Sequence, residues 1–321
     1  MGAYIVRRLL WVVVIVLVMT LFAFLVFYIL PPGDPAVAFA GRSPTPATIA
    51  AVKDQLGLDQ PIYVQYGRFA KHLFFGDEYG WPGFGFSFTT RTPVKDLIFS
   101  KVWVTLQLAT GALIIWLLVG IPIGVISARK RGTIFDRGAM GFALFGVSAP
   151  VFWLGYLSLY FFWYKLHWAP GTGYFSFSDN PFEWFTHFLM PWSVLALLFA
   201  AFYARMVRGN MIEVMSEDYI RTARAKGLPE RQVVLKHGLR SSLTPVVTMV
   251  GLDFGQLVGG AIVTERIFNI PGLGNYTVDA VFRNDLPVVM AVVVFAALGI
   301  TIMNLIVDIV YAYLDPRVRY A

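Results

Sequence analysis

Long runs of apolar residues alternate with polar segments along the whole chain. A bilayer core about 30 Å thick is crossed by about 20 residues of α-helix, and lipid offers no partner to unpaired backbone groups. The pattern therefore predicts an all-α membrane protein with six transmembrane helices, and an even number of spans places both termini on the same side. The six apolar runs are Leu9–Leu30, Val102–Ala128, Gly138–Tyr164, Trp184–Ala204, Pro245–Thr264 and Leu286–Val307.

The first apolar run could instead be a cleaved secretion signal. Arg7 and Arg8 precede it, and Ala38-Phe39-Ala40 offers a small-residue cleavage site. The apolar core of such signals has roughly 7–15 residues, whereas Leu9–Leu30 has 22. The length favours an uncleaved anchor helix.

The composition supports a membrane protein and excludes several chemistries. Hydrophobic residues make up 57% and charged residues 14% of the 321 residues, against about 45–50% and about 25% in soluble domains. The absence of cysteine excludes disulfides, thiolate metal sites and a cysteine nucleophile. The four histidines are scattered along the sequence, so we expect no metal site. The 28 Phe, 9 Trp and 15 Tyr suit a lipid-facing surface with aromatic belts.

Lys and Arg are distributed unevenly between the polar segments. The segments on the side of the two termini together hold 16 Lys and Arg against 6 Asp and Glu, whereas the opposite segments hold 10 against 11. Cytoplasmic loops of membrane proteins carry an excess of Lys and Arg. We therefore expect both termini to be cytoplasmic, and the net charge of +7 then requires no nucleic-acid partner.

The polar segments differ in length, and this suggests a division of the chain. Residues 1–95 would form the anchor helix plus an extracytoplasmic segment, and residues 96–321 a five-helix core with a long cytoplasmic loop at 205–244. The aromatic run Gly76–Thr92 in the first part is either a contact surface for another protein or an interfacial belt or lid over the spans. The long charged cytoplasmic loop suggests a partner.

Within that loop the sequence predicts a short helix, a sharp turn and a second helix. Ser216 is a suitable N-cap, and Gly227 followed by Pro229 is a helix stop. The helix over Glu217–Lys226 would be about 15 Å long. Two interpretations remain open for it: a docking element for a partner protein, or a basic amphipathic helix beside anionic lipid headgroups.

The loop contains the run Asp218-Tyr219-Ile220-Arg221-Thr222-Ala223-Arg224-Ala225-Lys226-Gly227-Leu228, followed by His237-Gly238-Leu239-Arg240 and Pro245. These residues resemble the cytoplasmic signature of ABC-importer permeases, in the version of the oligopeptide/dipeptide permease family. The resemblance extends over nearly the whole chain. Outside the loop, the residues that carry it are Tyr4-Ile5-Val6-Arg7-Arg8-Leu9, Pro32-Gly33-Asp34-Pro35, Leu56-Gly57-Leu58-Asp59-Gln60-Pro61, Gln65-Tyr66, Pro93-Val94, Gly259-Gly260, Glu265, Phe268, Pro271-Gly272-Leu273-Gly274 and Asp315-Pro316-Arg317.

The chain departs from the broader importer pattern at four positions of the loop. Arg221 and Thr222 stand where that pattern has Glu and Ala, and His237 and Arg240 replace Ile and Pro. These substitutions are similar to those of the peptide branch. Contacts known for sugar-importer permeases therefore do not transfer to Arg221 and Arg240.

The resemblance implies the permease subunit of an ATP-driven importer with the type I permease fold, in the bacterial inner or plasma membrane. It implies a second homologous permease, two ATP-binding subunits that hold Mg–ATP, and an extracytoplasmic solute-binding protein. The chain itself has no Gly-x-x-x-x-Gly-Lys-Ser/Thr phosphate loop, so we expect no cofactor and no catalytic residue here. The helix Glu217–Lys226 would be the coupling helix. Its expected ATPase-docking residues are Tyr219, Thr222, Ala223, Ala225, Lys226, Gly227 and Leu228.

Three polar side chains inside the predicted spans are candidates for a translocation path. They are Gln107, Asp253 and Gln256. Polar groups are costly in a bilayer and are therefore often functional. The alternative is that they form hydrogen bonds between helices or pair with a basic residue.

Other functions fit the sequence less well. An ion-coupled secondary transporter would use Asp253 and Asp308 as proton or ion sites, but it has little use for the helix–glycine–helix loop. The sequence also offers no set of catalytic residues for a membrane enzyme. It contains no His-Glu-x-x-His motif, and Ser148 lacks the second glycine of a nucleophile elbow. Peptide is the expected cargo, with a nickel chelate, glutathione or an oligosaccharide as alternatives.

Overall fold

The computed structural model describes residues 2–30, 33–41 and 44–314. Pro32 and the ending Asp315-Pro316-Arg317 lie outside these ranges. The helices of the N-terminal part are α1 (Gly2–Phe24, continued by a π-helical turn Leu25–Ile29), α2 (Pro35–Phe39), α3 (Pro46–Leu56) and α4 (Ile62–Phe75), followed by the two-stranded hairpin β1 (Phe86–Ser87) and β2 (Thr92–Pro93).

The remaining described chain is helical with short connections. Its elements are α5 (Val94–Arg129), α6 (Ile134–Ser148), α7 (Val151–Ser158, continued by a π-helical segment Leu159–Lys165), α8 (Pro181–Val214), α9 (Asp218–Ala225), α10 (Glu230–Gln232, continued by a π-helical segment Val233–Gly238), α11 (Leu239–Ser242), α12 (Thr244–Val258), α13 (Ile262–Ile267), α14 (Leu273–Phe282) and α15 (Leu286–Leu314).

Four of the six predicted spans are single long apolar helices in the structure. They correspond to Val6–Ile29, Val94–Arg129, Pro181–Val214 and Leu286–Val307. The helices α5 and α8 extend well beyond their predicted apolar runs because polar residues continue each helix outside the expected membrane core.

The third and fifth predicted spans are helical but interrupted. The third is a pair, α6 and α7, that meets at an angle of 103°. The bend lies at Ala149, whose extended backbone (φ −76°, ψ 128°) precedes Pro150, as expected for a residue before proline. The fifth is the 15-residue helix α12, which ends at Val258. Gly260, with φ +117°, turns the chain there into α13.

The core of the spans lies between α5 and α8. Leu108 and Trp116 of α5, and Phe188, Tyr203 and Met211 of α8, are each at most 1% exposed. The Trp116 ring stacks on that of Tyr203 with centroids 6.1 Å apart. This aromatic packing holds the two longest helices together along much of their length.

The N-terminal part forms a small helical layer against the ends of the first and last spans. Asp34 caps α2 by accepting the N–H of Ala36 at 2.9 Å and pairs with Lys53 of α3 at 2.9 Å. Tyr28 and Phe69 are buried in the shared core. The layer is therefore a structured extension of the membrane domain.

The aromatic run 76–92 is divided between core and surface. Phe84 is buried, whereas Trp81 is 68% exposed. The hairpin that follows is tied to the start of α15, because the Ser87 hydroxyl donates to Asp285 at 2.5 Å. Burial raises the pKa of Asp285, and the hydrogen bond from Ser87 opposes this rise.

A buried carboxylate organises the connection between the fifth and sixth spans. Glu265 of α13 is fully buried. It accepts the Thr105 hydroxyl of α5 and the backbone N–H of Asn275, each at 2.8 Å. The same Thr105 oxygen accepts the N–H of Leu273 at 2.8 Å. Burial raises the pKa of Glu265, and the accepted hydrogen bonds counteract this.

We predict that Thr105→Val destabilises the protein, whereas Thr105→Ser does not. Valine has nearly the same shape but leaves the Glu265 carboxylate and the Leu273 N–H each short of a partner, at a cost of about 1–3 kcal/mol for a buried group. Serine keeps the hydroxyl. Thermal unfolding of the purified protein in detergent measures the difference, and equal melting temperatures for the two variants would contradict the role of this hydroxyl.

Candidate functional site

The predicted loop helix is present as α9, from Asp218 to Ala225. Its N-cap is Glu217, whose backbone is extended and whose side chain makes no capping hydrogen bond. The prediction of Ser216 as N-cap is wrong. The Ser216 hydroxyl donates to the Glu213 carbonyl at the end of α8 instead, because the chain is still turning out of α8 there.

Gly227 ends α9 in the way that the sequence predicts. Its φ is +74°, a left-handed conformation that costs an L-residue with a side chain roughly 1–2 kcal/mol. The Gly227 N–H donates to Arg224 O at 2.9 Å, and the Leu228 N–H donates to Ala223 O at 3.4 Å. This pair of bonds is a Schellman motif. The next residues can therefore fold back along α9.

The helix α9 is fastened to the segment that follows it. Ile220, Ala223 and Val233 form a small buried cluster. Arg224 pairs with Glu230 at 2.9 Å, and the hydrogen bond from this guanidinium lowers the pKa of Glu230. The helix–turn–helix unit therefore has its own apolar contacts and an ion pair.

The expected docking residues do not all lie on one surface. Tyr219 is 44% exposed. Ala223 faces inward and packs in the cluster with Val233, and Leu228 is half-buried beside it. The small size of Ala223 therefore lets α10 approach α9. The remaining residues of the set are exposed: Thr222, Ala225, Lys226 and Gly227.

An ion pair that the sequence analysis missed anchors α8, the helix that leads into α9. Arg208 donates from Nε and Nη2 to the two carboxylate oxygens of Asp136, at 2.6 and 2.8 Å. Asp136 also accepts the Ser127 hydroxyl and, at 2.8 Å, the N–H of Gly132. The turn between α5 and α6 is thus joined to α8. The sequence does contain a signal for this ion pair, because Asp136 is the one acidic residue in the segment 129–137, which also holds four Lys and Arg residues.

We predict that Arg208→Met lowers the melting temperature more than the double variant Arg208→Met/Asp136→Asn. The single variant leaves the Asp136 carboxylate without its cation, whereas the double variant removes both charges. Arg205→Met, one turn away at an exposed position, is the matched control and should have little effect. Thermal unfolding in detergent decides the order, and a double variant less stable than the single one would contradict the ion-pair interpretation.

Gln107 is held by hydrogen bonds to the aromatic part of α8. The indole N–H of Trp184 donates to its Oε1 at 2.7 Å, and that of Trp192 donates to its backbone carbonyl at 3.1 Å. Its side-chain oxygen therefore bonds between helices, as the alternative interpretation proposed.

Asp253 and Gln256 lie together on α12. The Tyr203 hydroxyl donates to Asp253 Oδ2 at 2.6 Å. Asp253 is half-buried and Gln256 is exposed. The structure brings these two residues together but leaves Gln107 bonded elsewhere. The side chain of Asp308 lies outside the described part. Among the residues that the structure describes, no three His, Asp or Glu side chains come together as a metal site.

The chain matches known transport proteins over its whole length. The family described as "Binding-protein-dependent transport system inner membrane component" matches residues 120–320, and the family of the corresponding N-terminal part matches residues 1–109. A Brucella abortus (strain 2308) protein named as a peptide transport system permease is 42% identical over 320 residues, which cover 100% of both chains. The glutathione transport system permease protein GsiC of Salmonella paratyphi A is 42% identical over 317 residues, covering 99% of each chain.

Two further similarities extend this result. A Sinorhizobium fredii protein named as a peptide ABC transporter permease is 37% identical over 320 residues, which cover 100% of both chains. A solved structure of the MetNI methionine ABC transporter in inward-facing conformations has a chain that matches with a TM-score of 0.56 at 20% identity, covering 70% of this chain and 98% of that one. At this identity the match supports the fold alone.

Proposed function

We propose that this chain, which belongs to the family of binding-protein-dependent transport system inner membrane components, is the permease subunit of an ATP-driven ABC importer for di- and oligopeptides. It is a multi-pass protein of the bacterial inner membrane. The names of its full-length relatives support this cargo. Glutathione is the second candidate, because an equally similar relative is named for its transport.

The proposed assembly contains a second homologous permease, two ATP-binding subunits that hold Mg–ATP, and an extracytoplasmic solute-binding protein. The family description, which specifies dependence on a binding protein, supports the last of these. The excess of basic residues on the side of the termini supports a cytoplasmic location for α9. The layer at 33–93 would then face the binding protein.

The coupling role is supported by the way in which α9 is attached to the rest of the structure. It is a short helix with an exposed face, fastened to the next segment by Ile220, Val233 and the Arg224–Glu230 pair. Such a unit moves as one body. A push on its exposed face by an ATPase subunit would be passed to α8, and through Arg208 to the turn between α5 and α6.

The docking set divides into two roles in this proposal. The exposed members would contact the ATPase subunit directly. Ala223 and Leu228 would act indirectly, by keeping α9 in place on the following segment. The bond from Trp184 makes Gln107 a helix-packing residue. Asp253 also accepts an interhelical bond, from Tyr203, but only at one carboxylate oxygen, so Asp253 and Gln256 stay the candidates for the translocation path.

We predict that Gly227→Pro abolishes ATP-driven peptide uptake while the chain still inserts into the membrane. Proline fixes φ near −65°, which is incompatible with the φ of +74° at this turn. Asparagine tolerates the left-handed conformation, so Gly227→Asn is the matched control and should keep most of the uptake. The measurement is uptake of a labelled peptide by cells that carry each variant in place of the wild-type chain, with the amount of chain in the membrane determined in parallel.

Purification in mild detergent with mass spectrometry supports or rejects the assembly itself. A second permease and ATPase subunits should accompany the wild-type chain and be lost with Gly227→Pro. Recovery of the chain alone under crosslinking, with uptake driven by a proton gradient without ATP, would favour an ion-coupled carrier. Undiminished uptake by Gly227→Pro would contradict the role of α9.

A further inference from the structure

The two faces of α12 have different surroundings. Gly251, Gly255 and Gly259 face α15 at close range, since a Cβ atom on each would lie 1.7, 3.1 and 2.9 Å from side-chain atoms of that helix. With 3.6 residues per turn, Asp253 is about 200° around the helix from Gly251. It therefore lies on the opposite face from α15, and Gln256 shares its side of the helix.

This opposite face carries a carboxylate without a counter-charge. In the part of the chain that the structure describes, Asp253 forms no ion pair with Lys, Arg or His, and its one hydrogen bond is the one from Tyr203 at 2.6 Å. A charged group within the spans is costly, and such groups usually pair or face a water-filled path. Asp253 is half-buried, and its second carboxylate oxygen, Oδ1, accepts no hydrogen bond from a described residue.

The carboxylate is also held in a fixed position. Tyr203, which donates to it, is fully buried and stacks on Trp116. Trp116 packs in turn against Phe199 in a tilted arrangement, with ring centroids 4.5 Å apart. This packing holds the phenol beside Asp253, where it occupies one of the two carboxylate oxygens. A preorganised single acceptor of this kind suits one small cationic group.

We infer that Asp253 binds the α-ammonium group of the peptide during its passage, with the exposed amide of Gln256 as a second polar contact. This inference rests on the proposed function. An ammonium group matches the site because it carries one charge and donates three hydrogen bonds. Every peptide with a free amino terminus has this group whatever its sequence. A metal ion would need further ligands, and none comes together here among the described residues.

The test compares two cargoes across variants of the complete complex. ATP-driven uptake of a free tripeptide and of its N-acetylated form is measured in proteoliposomes with the same saturating binding protein. The quantity compared between variants is the uptake rate of the free tripeptide divided by that of its N-acetylated form. The preference of the binding protein cancels in this comparison, because it is the same for every variant. Asp253→Asn keeps the shape and can still accept the Tyr203 hydroxyl. It should lower the ratio about tenfold, the equivalent of one hydrogen bond to a charged group.

Matched variants separate charge from packing. Tyr203→Phe keeps the carboxylate but frees it to move, so it should lower the ratio less than Asp253→Asn. Ser193→Ala is the control, because the Ser193 hydroxyl donates to the Leu189 carbonyl of its own helix, and it should leave the ratio unchanged. If Asp253→Asn does not assemble, Asp253→Ser is measured with the same expectation.

The outcomes distinguish this inference from the proposed function. A ratio that stays constant in the Asp253 variants, whether both uptake rates fall equally or neither falls, overturns the inference while ATP-driven peptide uptake stands. If the wild-type complex takes up neither peptide in the presence of ATP, the proposed function itself is overturned. A selective loss for the free tripeptide supports both.

Discussion

In a bilayer, each charged or polar group of a span needs a protein partner or access to water, because lipid supplies neither hydrogen bonds nor counter-charges. The described structure meets this requirement differently at three carboxylates, of which Asp253 lies within a predicted span and Glu265 and Asp136 lie just beyond span ends. Glu265 has a hydroxyl and a backbone N–H, and Asp136 has a bidentate guanidinium. Asp253 has a single phenol hydroxyl. The first two arrangements close off the carboxylate, and the third leaves one oxygen available.

Charged and apolar contacts also connect the loop helix α9 to the spans. Arg208 joins α8 to the turn between α5 and α6, and α8 leads into α9 within a few residues. The helix α9 is in turn fastened to α10 by Ile220, Ala223 and Val233. In the proposed function, a displacement of α9 would reach the spans through these packed contacts and the ion pair. This continuity is what a subunit driven by an external ATPase requires.

The sequence was sufficient for the elements whose signal is local. The four uninterrupted spans, the stop at Gly227 and the short loop helix all follow from apolar runs and turn residues, and each is present in the structure. Three features depended on tertiary contacts and could not be read from the pattern. Pro150 marks the position of the bend, but its angle of 103° depends on how α6 and α7 each pack against α8. The inward orientation of Ala223 depends on where the chain goes after Gly227. The partners of Glu265 and Asp136 come from distant or separate elements.

The central claim is that the exposed face of α9 binds an ATPase subunit in the cytoplasm. The chain contains no cysteine, so a single introduced cysteine gives a unique reactive thiol. Thr222→Cys lies on the exposed face of α9, and Phe75→Cys is the control, since Phe75 is 83% exposed in the layer expected on the other side of the membrane. With a short thiol-to-amine crosslinker in native membranes, we expect Thr222→Cys to yield an adduct with an ATPase subunit and Phe75→Cys to yield none. An ATPase adduct from Phe75→Cys, or none from Thr222→Cys, would contradict this account.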